Sequence, residues 1–168
     1  MDDKFEKKLE FKDKLLSFYN DNKLKVIVFF ITIVILISII LIKTESQRRN
    51  NIMLSDKFNE SVLLISVGEI DKAKIILDEI ILKKNKFYSF SALNLVIDKE
   101  LMKKEKVLDY FKIIEQLNLS EETYDLIQLK KALYIIENFN KNSGIEILNK
   151  LIKENSNLKS IAEEIIKE

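Results

Sequence analysis

The longest apolar run in the chain covers residues 24–42, with the sequence LKVIVFFITIVILISIILI. Its last seventeen residues carry no charge, and their only polar side chains are the hydroxyls of Thr32 and Ser38, which can bond back to helix carbonyls. Seventeen helical residues span about 26 Å, slightly less than the roughly 30 Å hydrocarbon core of a bilayer. Lysines at both ends can reach the two interfaces. The run predicts one transmembrane helix.

Two other interpretations of this run fit the sequence less well. A buried core helix would need surrounding chain to cover it on all sides, and the remaining residues offer too little. A cleaved signal peptide has an apolar region of about 7–15 residues that ends at a small-residue site. The present run is longer, follows the charged segment 2–22 and exits through LIKTE. We therefore expect an uncleaved signal anchor.

Positive charges near the run indicate its orientation. Within about twenty residues of the span, six lysines precede it and four basic residues follow it. This difference favours a cytoplasmic N-terminus and a translocated C-terminal domain. The residues that precede are Lys7, Lys8, Lys12, Lys14, Lys23 and Lys25, and those that follow are Lys43, Arg48, Arg49 and Lys57.

Beyond residue 50 apolar residues recur at i, i+3 and i+4 rather than in alternation, which predicts an all-α fold. Gly68 suits a helix C′ position, Asp71 suits the N-cap of the next helix, and Ser120 suits a later N-cap. The predicted helices cover residues 53–67, 71–84, 88–102, 106–116, 120–138, 143–154 and 158–167.

One spacing recurs along this helical region, in which a small residue, replaced by Val107 in the second instance, is followed by large residues at i+4 and i+7. It returns after 34 and then 37 residues, and it resembles the second helix of a tetratricopeptide repeat (TPR). The turn from Gly68 to Ala73 fits that pattern, whereas the usual Trp, Tyr and Pro landmarks are missing. An irregular helical bundle with accidental periodicity is the alternative. The repeat-packing positions are Gly68, Ala73, Leu77, Ile80, Val107, Phe111, Ile114, Gly144, Leu148 and Leu151.

The composition argues against catalysis. The chain has no Cys and no His, which removes thiol nucleophiles, disulfides, imidazole bases and the usual zinc and haem ligand sets. With two Gly it has no Gly-rich phosphate loop, and a net charge of +1 without a basic cluster does not indicate nucleic-acid binding. We expect no enzyme activity, cofactor, metal site or small-molecule substrate. The aromatic group Phe87, Tyr88 and Phe90 either lines a peptide groove or packs between the first two helical pairs.

The order of the segments along the chain resembles that of a known protein family. Phe18-Tyr19 and the Asn-rich residues 20–22 stand directly before the span, the turn from Gly68 to Ala73 follows it, and SIAEEI ends the helical region at 160–165. This arrangement resembles the bacterial ancillary SecYEG translocon subunit family (YfgM-like). The resemblance implies an inner-membrane protein whose periplasmic TPR-like domain binds the SecYEG translocon and a membrane-anchored periplasmic chaperone. The chain departs from the family in lacking Gly and Trp around the span and in its divergent second repeat.

The sequence is accordingly divided into four parts. Residues 1–23 are predicted to be a short cytoplasmic amphipathic segment, 24–42 the transmembrane signal anchor, 43–52 a juxtamembrane helix or linker, and 53–168 a TPR-like periplasmic domain of about three helical pairs with a C-terminal capping helix. A TPR receptor facing the cytoplasm and an envelope or division scaffold are the alternatives. The scaffold would need a coiled coil, and residues 44–60 do not sustain heptads.

Overall fold

The computed structural model describes the backbone of residues 3–167 and the side chains of Tyr19 and residues 21–167. This part of the chain contains seven α-helices and no strand, so the all-α prediction is confirmed. The chain divides into two compact units, residues 1–50 and 51–168. The helices are α1 (Asp3–Ser66), α2 (Ile70–Leu82), α3 (Tyr88–Asp98), α4 (Lys104–Glu115), α5 (Glu121–Asn138), α6 (Lys141–Lys153) and α7 (Lys159–Lys167).

The first unit consists of the N-terminal part of α1. Its helical geometry is interrupted at Asn22 (φ −124°, ψ 21°), shortly before the apolar run. Thr32 and Ser38 donate hydrogen bonds to the carbonyl oxygens of Val28 and Val34 at 2.9 and 2.8 Å, as predicted for hydroxyls inside a helix. The side-chain positions of residues 2–18 lie outside the described part of the chain, so the amphipathic character predicted for 1–23 stays a prediction.

The apolar run is a helix that no described side chain buries. Its most apolar 18-residue window has a mean hydropathy of 3.1, and none of that window is buried. Most large apolar side chains of the run are exposed, from 46 % at Ile27 to 78 % at Leu24, and Val26 and Ile33 are partly exposed. A core helix would be buried, so this helix has the properties of a membrane anchor or a signal sequence.

The second unit begins with the last turns of α1. Gly68 adopts a left-handed conformation (φ 81°), and the N–H of Glu69 bonds to the carbonyl of Leu64 at 2.8 Å, which closes α1 as predicted. The prediction of Asp71 as N-cap is wrong. Glu69 holds the N-cap position without a side-chain cap bond, and Asp71 lies in the first turn of α2, where its charge still favours the helix dipole.

Two other helix boundaries differ from the predicted ones because of local backbone chemistry. α3 ends at Asp98 instead of 102 since Glu100 is left-handed (φ 49°) and the N–H of Leu101 returns to the carbonyl of Val96 at 2.9 Å. α6 begins at 141 instead of 143 because the Asn140 side chain accepts a bond from the N–H of residue 142 at 2.8 Å. The cap predicted at Ser120 is confirmed, with its hydroxyl 3.4 Å from the N–H of Thr123.

The core of the second unit consists of two clusters. The larger cluster joins Leu54 of α1 to buried residues of α2, α3 and α4 and to Ile127 of α5. The smaller cluster joins Leu129 and Ala132 of α5 to α6 and to Ala162 of α7. Helix α5 therefore contributes to both clusters.

The loop between α2 and α3 is fixed by one polar side chain. Lys84 is left-handed (φ 54°) and ends α2. The carbonyl oxygen of the next side chain, Asn85, accepts bonds from the N–H groups of residues 87 and 88, both at 3.0 Å, and so caps α3. Its amide nitrogen donates to the Asn51 side chain in α1 at 2.8 Å. Asn85 thus links the start of α3 to the helix that precedes α2.

The loop between α6 and α7 has the same arrangement. Asn155 is left-handed (φ 56°), and the hydroxyl of the next residue, Ser156, accepts a bond from the N–H of Leu158 at 3.1 Å. That hydroxyl donates to a carboxylate oxygen of Asp125 in α5 at 2.5 Å. Both loops therefore join the following helix to the one two elements earlier.

Candidate functional site

The ten predicted repeat-packing residues occupy two kinds of position. Gly68 lies in an exposed turn, whereas the other nine are buried. Gly144 lies at a close contact between α6 and α5. A Cβ there would be 2.4 Å from Cγ1 of Ile136 and 2.6 Å from the carbonyl oxygen of Ala132. Burial shows that these nine residues belong to the core, and their shared role in a repeat stays a prediction.

The predicted aromatic group does not form one surface. The rings of Phe87 and Tyr88 meet edge to face at 5.0 Å, and Phe87 is 68 % exposed. Tyr88 and Phe90 are half-buried against the larger core cluster, and the Lys130 ammonium lies 5.7 Å from the Phe90 ring centroid. Packing is therefore the main role of two of the three rings, and Phe87 alone is available to a ligand.

A groove of about 280 Å³ lies between the end of α3, the start of α4 and the second half of α5. Its lining includes the core residues Val96 and Val107 and the partly buried apolar residues Ile97 and Met102. Tyr134 of α5 forms one wall. Glu100 and Glu137 also line it, which makes it a candidate binding groove of the domain.

The electrostatic environment of the groove is negative. Burial raises the pKa of Tyr134, and the nearby carboxylates of Glu105, Glu137 and Glu100 raise it further. The hydroxyl of Tyr134 makes no hydrogen bond to any other described residue, and neither Glu100 nor Glu137 forms an ion pair within the described chain. Lys104 is the cation among the lining residues. The groove thus offers two carboxylates without an ion pair and one hydroxyl without a hydrogen bond among the described residues.

Glu100 reaches the groove through an unfavourable backbone conformation. Its φ of 49° places it at the left-handed C′ position of α3, where Gly or Asn is preferred. A side chain with a Cβ costs on the order of 1 kcal/mol there relative to Gly. The fold thus carries a small strain that places a carboxylate at the groove.

The other shifted groups of the domain form structural contacts. Burial tends to raise the pKa of Asp78, but the hydrogen bond from the Tyr110 hydroxyl at 2.5 Å and the Lys106 ammonium at 3.0 Å lower it below its usual value. Burial raises the pKa of Tyr110, and the hydrogen bond to Asp78 and its negative charge raise it further. The hydrogen bond from Lys57 at 2.6 Å lowers the pKa of Glu79. These contacts join α2 to α4 and to α1.

Comparison with protein families, curated proteins and solved structures finds no match to this chain. The resemblance to the translocon subunit family therefore stays a prediction. Among the described residues no group of three His, Cys, Asp or Glu side chains is placed to hold a metal ion.

Of the groove residues, the sequence indicated Val107 as a packing position and did not indicate Glu100, Tyr134 or Glu137. Glu100 and Glu137 are 37 positions apart and come together only through the packing of α5 beside α3 and α4. The charged residues 103–105 are the weak indication of the groove in the sequence. They separate two predicted helices, and Lys104 lines the groove.

Proposed function

We propose that this protein is a non-enzymatic protein-binding module held at a membrane by residues 24–42. The observation that carries the proposal is the uncovered apolar helix of the first unit. Full burial of one large apolar side chain is worth about 1.5–3 kcal/mol. A helix with more than a dozen such exposed side chains would be disfavoured by tens of kcal/mol in water, whereas a bilayer would accommodate it.

A TPR-like arrangement of helical pairs is our proposal for the second unit. Two features support it: the small-large-large spacing falls on buried positions in α2, α4 and α6, and the α2–α3 and α6–α7 loops share the same polar arrangement. Stacked helical pairs form an extended surface suited to binding polypeptide segments. The absence of Cys and His from the sequence also favours binding over nucleophilic or imidazole-based catalysis.

The more specific proposal is an accessory subunit of the SecYEG translocon, in the inner membrane, whose periplasmic domain links the channel to membrane-anchored chaperones. It rests on the resemblance of residues 18–22, 68–73 and 160–165 to that family. The anchor would raise the local concentration of the domain at the channel, as tethering does in general. A receptor with a cytoplasmic domain is the alternative, and topology distinguishes the two.

The test combines membrane extraction with topology reporters. Expressed in a bacterium, the full chain should remain in the membrane after alkaline carbonate treatment. A C-terminal alkaline phosphatase fusion should be active and a C-terminal fluorescent-protein fusion dark. The matched control replaces Lys12, Lys14 and Lys23 by Asn, which leaves three positive charges before the span against four after it and should lower phosphatase activity.

Two results would contradict these proposals. Release by carbonate, or cleavage near residue 45, would mean that the helix is not an anchor. A fluorescent fusion with an inactive phosphatase would place the domain in the cytoplasm and favour the receptor. Recovery of the tagged protein from solubilised membranes without any SecYEG or chaperone subunit would overturn the translocon assignment alone.

A further inference from the structure

We propose that the groove between α3, α4 and α5 binds a lysine or arginine side chain of a partner polypeptide, together with an adjacent apolar residue. The inference rests on the proposed binding function and names the chemistry of the partner. It is carried by the two carboxylates that line the groove, Glu100 and Glu137.

Two carboxylates at interhelical contacts in this unit, Glu115 and Asp78, have protein partners. Glu115 accepts hydrogen bonds from Lys131 at 2.6 Å and Gln128 at 2.8 Å, and Asp78 accepts bonds from α4. Glu100 and Glu137 instead form no ion pair within the described chain. With Lys104 as the cation of the lining, the groove keeps a negative balance. A cationic side chain would complement it, and an anionic one would be repelled.

The size of the groove limits what it can hold. Its volume of about 280 Å³ is at or below the range of roughly 300–1,000 Å³ that is typical of small-molecule and cofactor sites. Such a space suits one or two amino-acid side chains. The partly exposed apolar side chains of Ile97 and Met102 in the lining suit the methylene stem of Lys or Arg, whose charged end would then reach the carboxylates.

Tyr134 adds a directional contact. Its ring is held in place by Phe111 and Phe139, with centroid distances of 6.0 and 6.3 Å. Its hydroxyl has no partner among the described residues, so it can accept a hydrogen bond from an ammonium or guanidinium group. Burial and the surrounding carboxylates keep this hydroxyl protonated, as its raised pKa shows.

The backbone of Glu100 allows binding to be separated from folding. Because Asn tolerates the left-handed conformation better than Glu, Glu100→Asn should preserve or increase stability while it removes a charge from the groove. Lys84→Asn is the matched control, since Lys84 has a similar φ of 54° in a loop outside the groove. A loss of binding in the first variant and not in the second could not be attributed to unfolding.

The experiment uses the full chain in phosphatidylcholine nanodiscs and three fluorescein-labelled peptides, Gly-Leu-Arg-Leu-Gly and its Gln and Glu counterparts. Fluorescence anisotropy should show the Arg peptide binding about tenfold more tightly than the Gln peptide, and the Glu peptide more weakly still. In the double variant Glu100→Asn/Glu137→Gln the Arg peptide should lose about tenfold in affinity, and its salt dependence between about 50 and 300 mM should largely disappear. The Lys84→Asn protein should show the same difference in affinity between the peptides as the parent. Empty nanodiscs should show no such difference.

Equal binding of the Arg and Glu peptides, or an unchanged affinity in the double variant, would overturn the inference. So would a failure of the Arg peptide to bind. The proposed function is tested separately by photo-cross-linking in membranes from position 87, which is exposed and outside the groove. If the parent and the double variant capture the same partners equally, the proposed role of the groove is wrong and the proposed protein-binding function is supported. A parent that captures no partner would count against the function itself.

Discussion

Gly144 lies at a close contact between α6 and α5, and its replacement by Ala tests the packing of these two helices. The new Cβ would lie 2.4 Å from Cγ1 of Ile136 and 2.6 Å from the carbonyl oxygen of Ala132. The Ile136 side chain can rotate away. The carbonyl is part of the α5 backbone, so relief of that contact requires the two helices to move apart.

Two opposing effects set the expected magnitude. Ala has a higher helix propensity than Gly by about 0.8–1 kcal/mol, and this term alone would stabilise α6. Overpacking a close contact costs about 1–3 kcal/mol, and the rigid carbonyl places this site in the upper part of that range. We expect Gly144→Ala to reduce the free energy of unfolding by about 1–2 kcal/mol despite the better propensity.

Denaturant unfolding of the full chain in detergent micelles, followed by circular dichroism, measures this difference. Ser143→Ala is the matched control, because the neighbouring position is exposed on the same helix and should change stability by less than about 0.5 kcal/mol. In an Ile136→Ala background the cost of Gly144→Ala should fall only partly, since the carbonyl contact remains. A Gly144→Ala protein as stable as the parent, or more stable, would refute the close approach of the two backbones.

Three further substitutions test two hydrogen-bonded contacts and the membrane insertion of the apolar run. Ser156→Ala leaves the buried Asp125 carboxylate without its hydroxyl donor, and the free energy of unfolding should fall by about 1–3 kcal/mol in the same assay. The control is Ser91→Ala, at a hydroxyl that bonds only within its own helix, and it should lower the free energy of unfolding by less than about 0.5 kcal/mol. In the folded protein the pKa of Asp78 lies below its usual 3.8 because its partners on α4 outweigh burial, so the unfolded state takes up the proton first. Stability is therefore lost as pH falls from about 4 through the folded-state pKa, and Asp78→Asn should reduce the difference in unfolding free energy between about pH 6 and pH 3. Ile35→Lys places a charge in the middle of the apolar run at a cost of about 2.5–3.5 kcal/mol, so a smaller fraction of the chain should resist carbonate extraction; an unchanged fraction would argue against insertion.

Local chemistry made much of the helical pattern predictable from the sequence. Gly68 and Ser120 act on the backbone within three residues of themselves, and both were assigned correctly because Gly favours left-handed turns and Ser caps helices. The end of α3 was not predictable in this way. Glu100 has no intrinsic preference for the left-handed conformation, which here accompanies the bond from the Leu101 N–H to the Val96 carbonyl and the burial of Leu101 in the core.

The groove could not be predicted from the sequence for a different reason. Its walls come from residues 96–107 and 134–138, and their separation depends on how closely α5 packs on α3 and α4. Periodicity indicates which face of a helix is buried, but it does not give the distance between two helices. The sequence shows that Glu100 and Glu137 are charged, but it does not show that both line the same groove.

The position of α5 connects the groove to the stability of the whole second unit. Ile127 belongs to the larger core cluster, whereas Leu129 and Ala132 belong to the smaller one, so the two clusters are joined through this helix. The groove is lined by residues of the larger cluster together with the last turns of α5. A ligand that contacts both Glu100 and Glu137 would bind only when α5 is docked against α3 and α4, and it would stabilise that docked state by mass action. Binding in the groove and the cohesion of the two clusters are therefore expected to be thermodynamically linked.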